Sequence, residues 1–212
     1  MSPKLFLAFA AIVSLPPMAQ AQNLDPIKAS RVSAQMYRIG ADQGDALLII
    51  AAAKLRKQVL VERIERVPER DGKAPTGTAD PALTWEAMLQ TAQDLSVDDP
   101  QLTGLIDDVR AETFKGVRTG RVESYTRIRP GGTDTYRPLE FSVGQYADVY
   151  VEGSGDADLN LYIRDAQGRL VCSDTDISAI AYCGWEPTRA QAYAVEVRNK
   201  GRVASAYKLM TN

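Results

Sequence analysis

The hydrophobic repeat of this chain changes length near Gly116. Before that point apolar residues recur every three to four positions; after it they alternate with polar ones. A period of 3.6 lays its apolar stripe along a helix, and a period of two lays it on one face of a strand. The chain of 212 residues is therefore expected to be α+β, with a small antiparallel helical-hairpin domain followed by an antiparallel, jelly-roll-like β-sandwich. The expected division is a signal peptide at 1–21, a helical domain at 22–116 with a flexible loop at 67–79, and the sandwich at 117–212.

Three Asp-Pro pairs punctuate the first part: Asp25-Pro26, Asp80-Pro81 and Asp99-Pro100. Asp is a strong N-cap, and Pro suits the first helical position, where a missing N–H costs nothing. Each pair marks an expected helix start. The first helix reads to about Ile39, with Gly40 and Gly44 in the turn. The second reads from about Asp45 to Val67, with Leu47, Leu48, Ala51, Leu55, Val59 and Ile64 inward. Its outer end, 56–66, alternates charge sign and reads as solvated. Leu83, Trp85, Met88, Leu89, Ala92 and Leu95 supply the third apolar stripe, and Leu102, Leu105, Ile106 and Val109 the fourth. Residues 47–55 align faintly with 87–95, matching Ala52 to Ala92 and Leu55 to Leu95, a weakly tetratricopeptide-like offset.

Eight strands are expected in the second part, at 121–129, 136–142, 146–152, 159–164, 170–173, 179–183, 192–198 and 205–210. Gly-containing turns separate many of them, and short strands at this spacing with one polar face belong to sandwiches and barrels.

The first 21 residues read as an export signal. Lys4 is the basic end, 5–15 the apolar stretch, Pro16-Pro17 the break and Ala19-Gln20-Ala21 the small-x-small cleavage site. The apolar stretch is too short to span a bilayer, and no later segment does better, so no integral membrane segment is expected after cleavage. Periplasmic or secreted location follows, and there the two cysteines, Cys172 and Cys183, are expected to form a disulfide. With 25 basic and 27 acidic residues and no basic cluster, no nucleic-acid partner is expected. The chain has no histidine. That removes Ser-His-Asp and Cys-His catalysis and histidine-containing zinc sites.

The second part resembles the bacterial pre-peptidase C-terminal domain. The resemblance rests on 146–155 as an apolar strand entering a Gly-rich turn, then Asp158-Leu159-Asn160-Leu161-Tyr162, the turn Asp165-Ala166-Gln167-Gly168, and the strand Leu170-Val171. It continues with 193–197 and the closing Tyr207-Lys208-Leu209. It implies a jelly-roll-like sandwich serving binding, secretion or stability beside secreted enzymes and binding proteins. Asn160 stands where many members carry a second Asp, and the short first half, which lacks histidine, is not expected to be a peptidase domain.

Candidate chemistry is sparse. Asp156, Asp158, Asp174 and Asp176 form two acidic pairs at neighbouring strand ends. Oxygen-rich loops of this kind suit calcium, and some relatives implied by the resemblance bind it. The same side chains cap tight turns in proteins generally, and that is the reading preferred here; no other cofactor is expected. Tyr182 and Trp185, flanking Cys183, are candidates for an aromatic contact surface, or else for packing over the disulfide. Tyr125, Tyr136, Tyr150 and Tyr162 are further candidates for an exposed sheet face. The expected function is that of an exported, non-enzymatic binding or accessory protein of the bacterial envelope. It would contact a protein, peptide or glycan through the sandwich or the hairpins. A hydrolase or enzyme inhibitor working with carboxylates, and a purely structural envelope protein, are the alternatives.

Overall fold

The computed structural model describes residues 25–73, 75–77, 83–114, 120–155 and 157–212. Four helices come from the first part: α1 (Pro26–Gln43), α2 (Ala46–Lys57), α3 (Trp85–Leu95) and α4 (Pro100–Ala111). Their starts follow the expected chemistry. Asp25 Oδ1 accepts from the Lys28 N–H at 2.9 Å, Asp45 Oδ1 from the Leu48 N–H at 2.9 Å, and Asp99 Oδ1 from the Gln101 and Leu102 N–H groups. The Asp80-Pro81 pair lies outside the described residues, and α3 is capped instead by Thr84, whose hydroxyl takes the Ala87 N–H. α1 ends on Gly44 at φ +67°, a left-handed C-cap suited to glycine. Gly40 lets α2 approach closely, since a Cβ there would stand 2.8 Å from Ile49 Cγ1.

The helical core gathers Ile49, Ile50, Ala52, Met88, Leu89, Ile106 and Val109. α2 is its centre, touching α1, α3 and α4. Lys57 Nζ donates to the Val109 and Arg110 carbonyls at 2.7 and 2.9 Å, satisfying the C-terminal end of α4. Leu47, Ala51, Leu95 and Leu105 are exposed rather than inward.

The eight expected strands are all present: β3 (Val122–Ile128), β4 (Thr133–Glu140), β5 (Ala147–Gly153), β6 (Leu159–Arg164), β7 (Leu170–Asp174), β8 (Ile180–Trp185), β9 (Ala192–Asn199) and β10 (Ser205–Thr211). They form two antiparallel layers, β3-β10-β5-β8 and β4-β9-β6-β7. This is jelly-roll order, in which each sheet alternates strands from opposite ends of the chain. Val149, Val151, Leu159, Leu161, Ile163, Val195, Val197 and Leu209 fill the space between the layers. Pro138 interrupts β4, whose pairing with β9 shifts register between Tyr136 and Leu139.

The largest departure from expectation lies between the hairpins. α2 ends at Lys57, not near Val67, and the chain runs on across one side of the sandwich. β1 (Glu62–Arg63) adds to β3 in parallel, and β2 (Glu69–Arg70) adds to β4 antiparallel. One short segment thus becomes the outer strand of both sheets. Within the expected loop at 67–79, Val67 is exposed as anticipated, but Glu69 and Arg70 are paired strand; 74, 78 and 79 lie outside the described residues. On the opposite side of the sandwich the Cys172–Cys183 disulfide joins β7 to β8, with Cα atoms 5.9 Å apart. Each open side of the double layer is therefore closed, one by main chain and one by the bridge.

Beside the β2 side the interior is polar. The Tyr136 and Tyr207 hydroxyls lie 2.7 Å apart, Tyr207 donates to Asp134 Oδ2 at 2.9 Å, and Arg70 Nη2 donates to the same oxygen at 3.0 Å. Burial pushes the Asp134 carboxyl above its ordinary value despite the Tyr207 and Arg70 donors. Replacing Tyr207 by Phe keeps the volume but takes a donor from Asp134 and a partner from Tyr136. The expected cost is about 1–3 kcal/mol, read as a lower urea midpoint at unchanged m-value. An unchanged midpoint would mean that the network adds nothing to stability.

Candidate functional site

The outer face of β10, β5 and β8 is covered by α1 and by the segment leaving α2. Ile27, Tyr150 and Met210 are buried there, flanked by Val59, Val61, Ile180 and Tyr182. Polar contacts ring this seam. Arg121 Nη2 reaches Asp25 at 2.8 Å, Arg38 Nη1 donates to Ser178 Oγ at 2.9 Å, and the Arg31 guanidinium lies 4.2 Å from the centre of the Tyr182 ring.

A charged cluster sits within the seam. Arg56 on α2, Glu152 on β5 and Lys208 on β10 are 7%, 6% and 6% exposed. Arg56 Nη1 donates to Glu152 Oε1 at 2.8 Å, its Nε to Ser33 Oγ at 3.1 Å and its Nη2 to the Ser30 carbonyl at 3.0 Å. Tyr150 donates to Glu152 Oε2 at 2.6 Å, and Lys208 Nζ stands 3.5 Å from that oxygen. Burial raises the Glu152 pKa, but Lys208 and Arg56 together outweigh it, so the carboxyl is held below its ordinary value. For Lys208 burial prevails over Glu152 and lowers the ammonium pKa. Sequence reading missed this cluster. The available signal was that Tyr150 and Met210 interleave with Val149, Val151 and Leu209, so both faces of β5 and β10 are apolar and both are covered.

Two hollows open beside the cluster. The larger, about 550 Å³, lies between the C-terminal end of α1, the β5–β6 turn and the β7–β8 loop. Tyr37, Arg38 and Asp42 form one wall; Ser154, Asp158 and Ser178 form the other; Glu152 lies at its base. Ile177 stands at its lip, 90% exposed. The smaller, about 210 Å³, lies between the α2–β1 connection, the start of α3 and the strands β3 and β10.

The aspartates expected from sequence separate in role. Asp174 accepts from the Tyr182 N–H at 2.8 Å through Oδ2 and from the Asp176 N–H at 3.3 Å through Oδ1. That is turn and strand capping. Asp158 lines the larger cleft, and its main-chain carbonyl takes the Lys200 N–H. Asp156 lies outside the described residues. Among the described residues no group of three or more His, Cys, Asp or Glu side chains is placed to hold a metal ion.

Tyr182 and Trp185 do not form one aromatic spot. Strand alternation puts positions 182 and 185 on opposite faces of β8. Trp185 packs inward with Phe141 at 4.8 Å and Tyr193 at 5.3 Å between ring centres. Tyr182 lies in the seam under Arg31, its hydroxyl donating to Asp148 at 2.6 Å. Tyr136 and Tyr150 are buried rather than exposed. The Tyr125 and Tyr162 rings are occupied by the guanidinium groups of Arg63 and Arg198, at 4.5 and 4.6 Å.

No known family profile matches the chain, and no curated protein matches it. Solved structures similar to part of the chain include the Yersinia pseudotuberculosis-derived mitogen, at 10% identity over 44% of this chain and 85% of that one, with a TM-score of 0.36. The pre-peptidase C-terminal domain of collagenase from Bacillus anthracis matches at 6% identity over 43% and 76%, with a TM-score of 0.32. PliG of Aeromonas hydrophila, a periplasmic inhibitor of g-type lysozyme, matches at 12% identity over 43% and 84%, with a TM-score of 0.33. None reaches a TM-score of 0.5, and no family assignment follows from them.

Proposed function

We propose that this is an exported, non-catalytic binding protein that takes an extended segment of a protein partner into the cleft between α1 and the β7–β8 loop. The observation that carries this reading is Ile177. An aliphatic side chain 90% exposed beside a cleft of about 550 Å³ offers apolar contact to whatever occupies that cleft. Arg38, Ser178 and Ser154 give the cleft a polar lining, Arg38 bonded to Ser178 and Ser154 to Ser205. Catalysis by carboxylates is not favoured, because the buried acid at the base of the cleft, Glu152, is already engaged by Arg56, Tyr150 and Lys208. Export is supported by the signal-like residues 1–21 and by the Cys172–Cys183 bridge.

The test places a photo-crosslinking side chain at 177 and, as a control, at the exposed Val143 in the β4–β5 turn, in protein expressed in the periplasm. Adducts to one protein, identified by mass spectrometry, are expected from 177 and not from 143. Equal adduct patterns at both positions, or none at 177, would refute the reading.

A further inference from the structure

The buried cluster at the seam carries two cations, Arg56 and Lys208, and one carboxylate, Glu152. Buried charge is ordinarily paired. A further carboxylate acting on Lys208 is Glu123, on the wall of the smaller pocket, but within these three side chains one positive charge is in excess. Arg56 is not its source, since hydrogen bonds to Glu152, Ser33, Ser30 and Leu83 occupy its guanidinium. Lys208 is different. Its ammonium has three donors, and among the described residues its one carboxylate within 4 Å is Glu152, Oε2 lying at 3.5 Å, with the Tyr150 ring centre 5.9 Å away. The same side chain forms part of the wall of the smaller pocket, about 210 Å³.

The rest of that pocket is of mixed character. Val59, Val61 and Trp85 supply its apolar surface, with Lys57 Nζ 4.3 Å from the Trp85 ring centre and Arg56 also in the lining, and the first turn of α3 enters beside them. Glu86 and Glu123 stand on the wall as well. A simple anion would be drawn to Lys208 and repelled by those two acids. A molecule carrying both charges meets neither problem.

We propose that this pocket is a binding site for a small zwitterion of the α-amino acid class with an apolar side chain. Its carboxylate pairs with Lys208, its ammonium faces Glu123 and Glu86, and its side chain lies against Val59, Val61 and Trp85. A hollow of this size suits a metabolite of that kind rather than a drug-sized ligand. The site is distinct from the cleft beneath Ile177, and its test does not depend on the function proposed there.

Calorimetric titration and thermal unfolding of the mature protein at constant ionic strength test the assignment, with L-leucine, L-leucinamide and 4-methylpentanoate as probes. L-leucine is expected to bind and to raise Tm. L-leucinamide, which lacks the carboxylate, is expected to bind at least tenfold more weakly, and 4-methylpentanoate, which lacks the amine, more weakly than leucine. Lys208→Met leaves Arg56 and Glu152 as a balanced pair, so its Tm is expected not to fall while leucine affinity drops at least tenfold. Val61→Trp fills the pocket without touching the charges and is expected to abolish binding, which keeps the test decisive if Lys208→Met folds poorly. Absence of any leucine heat or Tm shift in the unaltered protein would overturn the proposal. Leucinamide binding as well as leucine, or leucine affinity unchanged in the folded variants, would do so too.

Discussion

Replacing Glu152 by Gln is expected to destabilise the protein by about 3–5 kcal/mol at pH 7, because it strands two buried cations at once. Arg56 would lose its 2.8 Å ion pair and Lys208 its 3.5 Å contact with the same carboxylate, while Gln keeps nearly the same volume. The effect is one of charge, not packing, and its pH dependence shows this. The Glu152 carboxyl is held below its ordinary value of 4.5 in the folded protein. Its contribution is therefore fully present above about pH 4.5 and is lost as pH falls through the lower folded value. The stability difference between the native chain and Glu152→Gln, taken from urea unfolding, should be constant from pH 6 to 7 and shrink toward zero below pH 4.5. A difference that is small at pH 7, or that does not change with pH, would show that the cluster is not a working ion network.

The second large effect is expected from the disulfide. Reduction should cost about 3 kcal/mol, since it frees a short loop whose closure the bridge imposes on the unfolded chain. The two cysteines are 11 positions apart and link the outer strands β7 and β8 of different sheets. Loss of the bridge opens one side of the double layer and leaves the other, closed by β1 and β2, intact. Guanidinium unfolding with and without a phosphine reductant measures this without the cavity that a Cys183 substitution would leave in the core. Equal midpoints in the two conditions would mean that the bridge is redundant.

How much of this was legible in the sequence depends on what signal each element carries. β5, β6 and β9 announce themselves because Val149/Val151, Leu159/Leu161/Ile163 and Val195/Val197 alternate. The helix starts at Pro26 and Pro100 announce themselves because an Asp N-cap precedes Pro. β1 and β2 do not. They are two residues each, Glu-Arg in both cases, with no alternation to detect. They are strands only because β3 and β4 offer unpaired edges to a chain that must cross them. Arg56 misleads for a related reason. It opens a run of alternating charge that belongs on a solvated face, yet its partner is nearly a hundred residues away. Glu152 and Lys208 are adjacent only once β5 and β10 pair in register. The two hollows lie along the same seam between helices and sheet, where long-range contacts set the geometry, and local patterns do not report it.

Both proposed sites require that seam to be fixed, with α1 and α2 locked on β5 and β10 as one cooperative unit. Native-state hydrogen exchange measures this directly. The amides of Ile49 and Ala52 in α2 and of Val151 and Leu209 in the sheet should open with the same free energy and the same denaturant dependence. If the α2 amides instead exchange through a separate opening of much lower free energy while the sheet stays protected, the helices are only loosely attached, and neither hollow is a formed site.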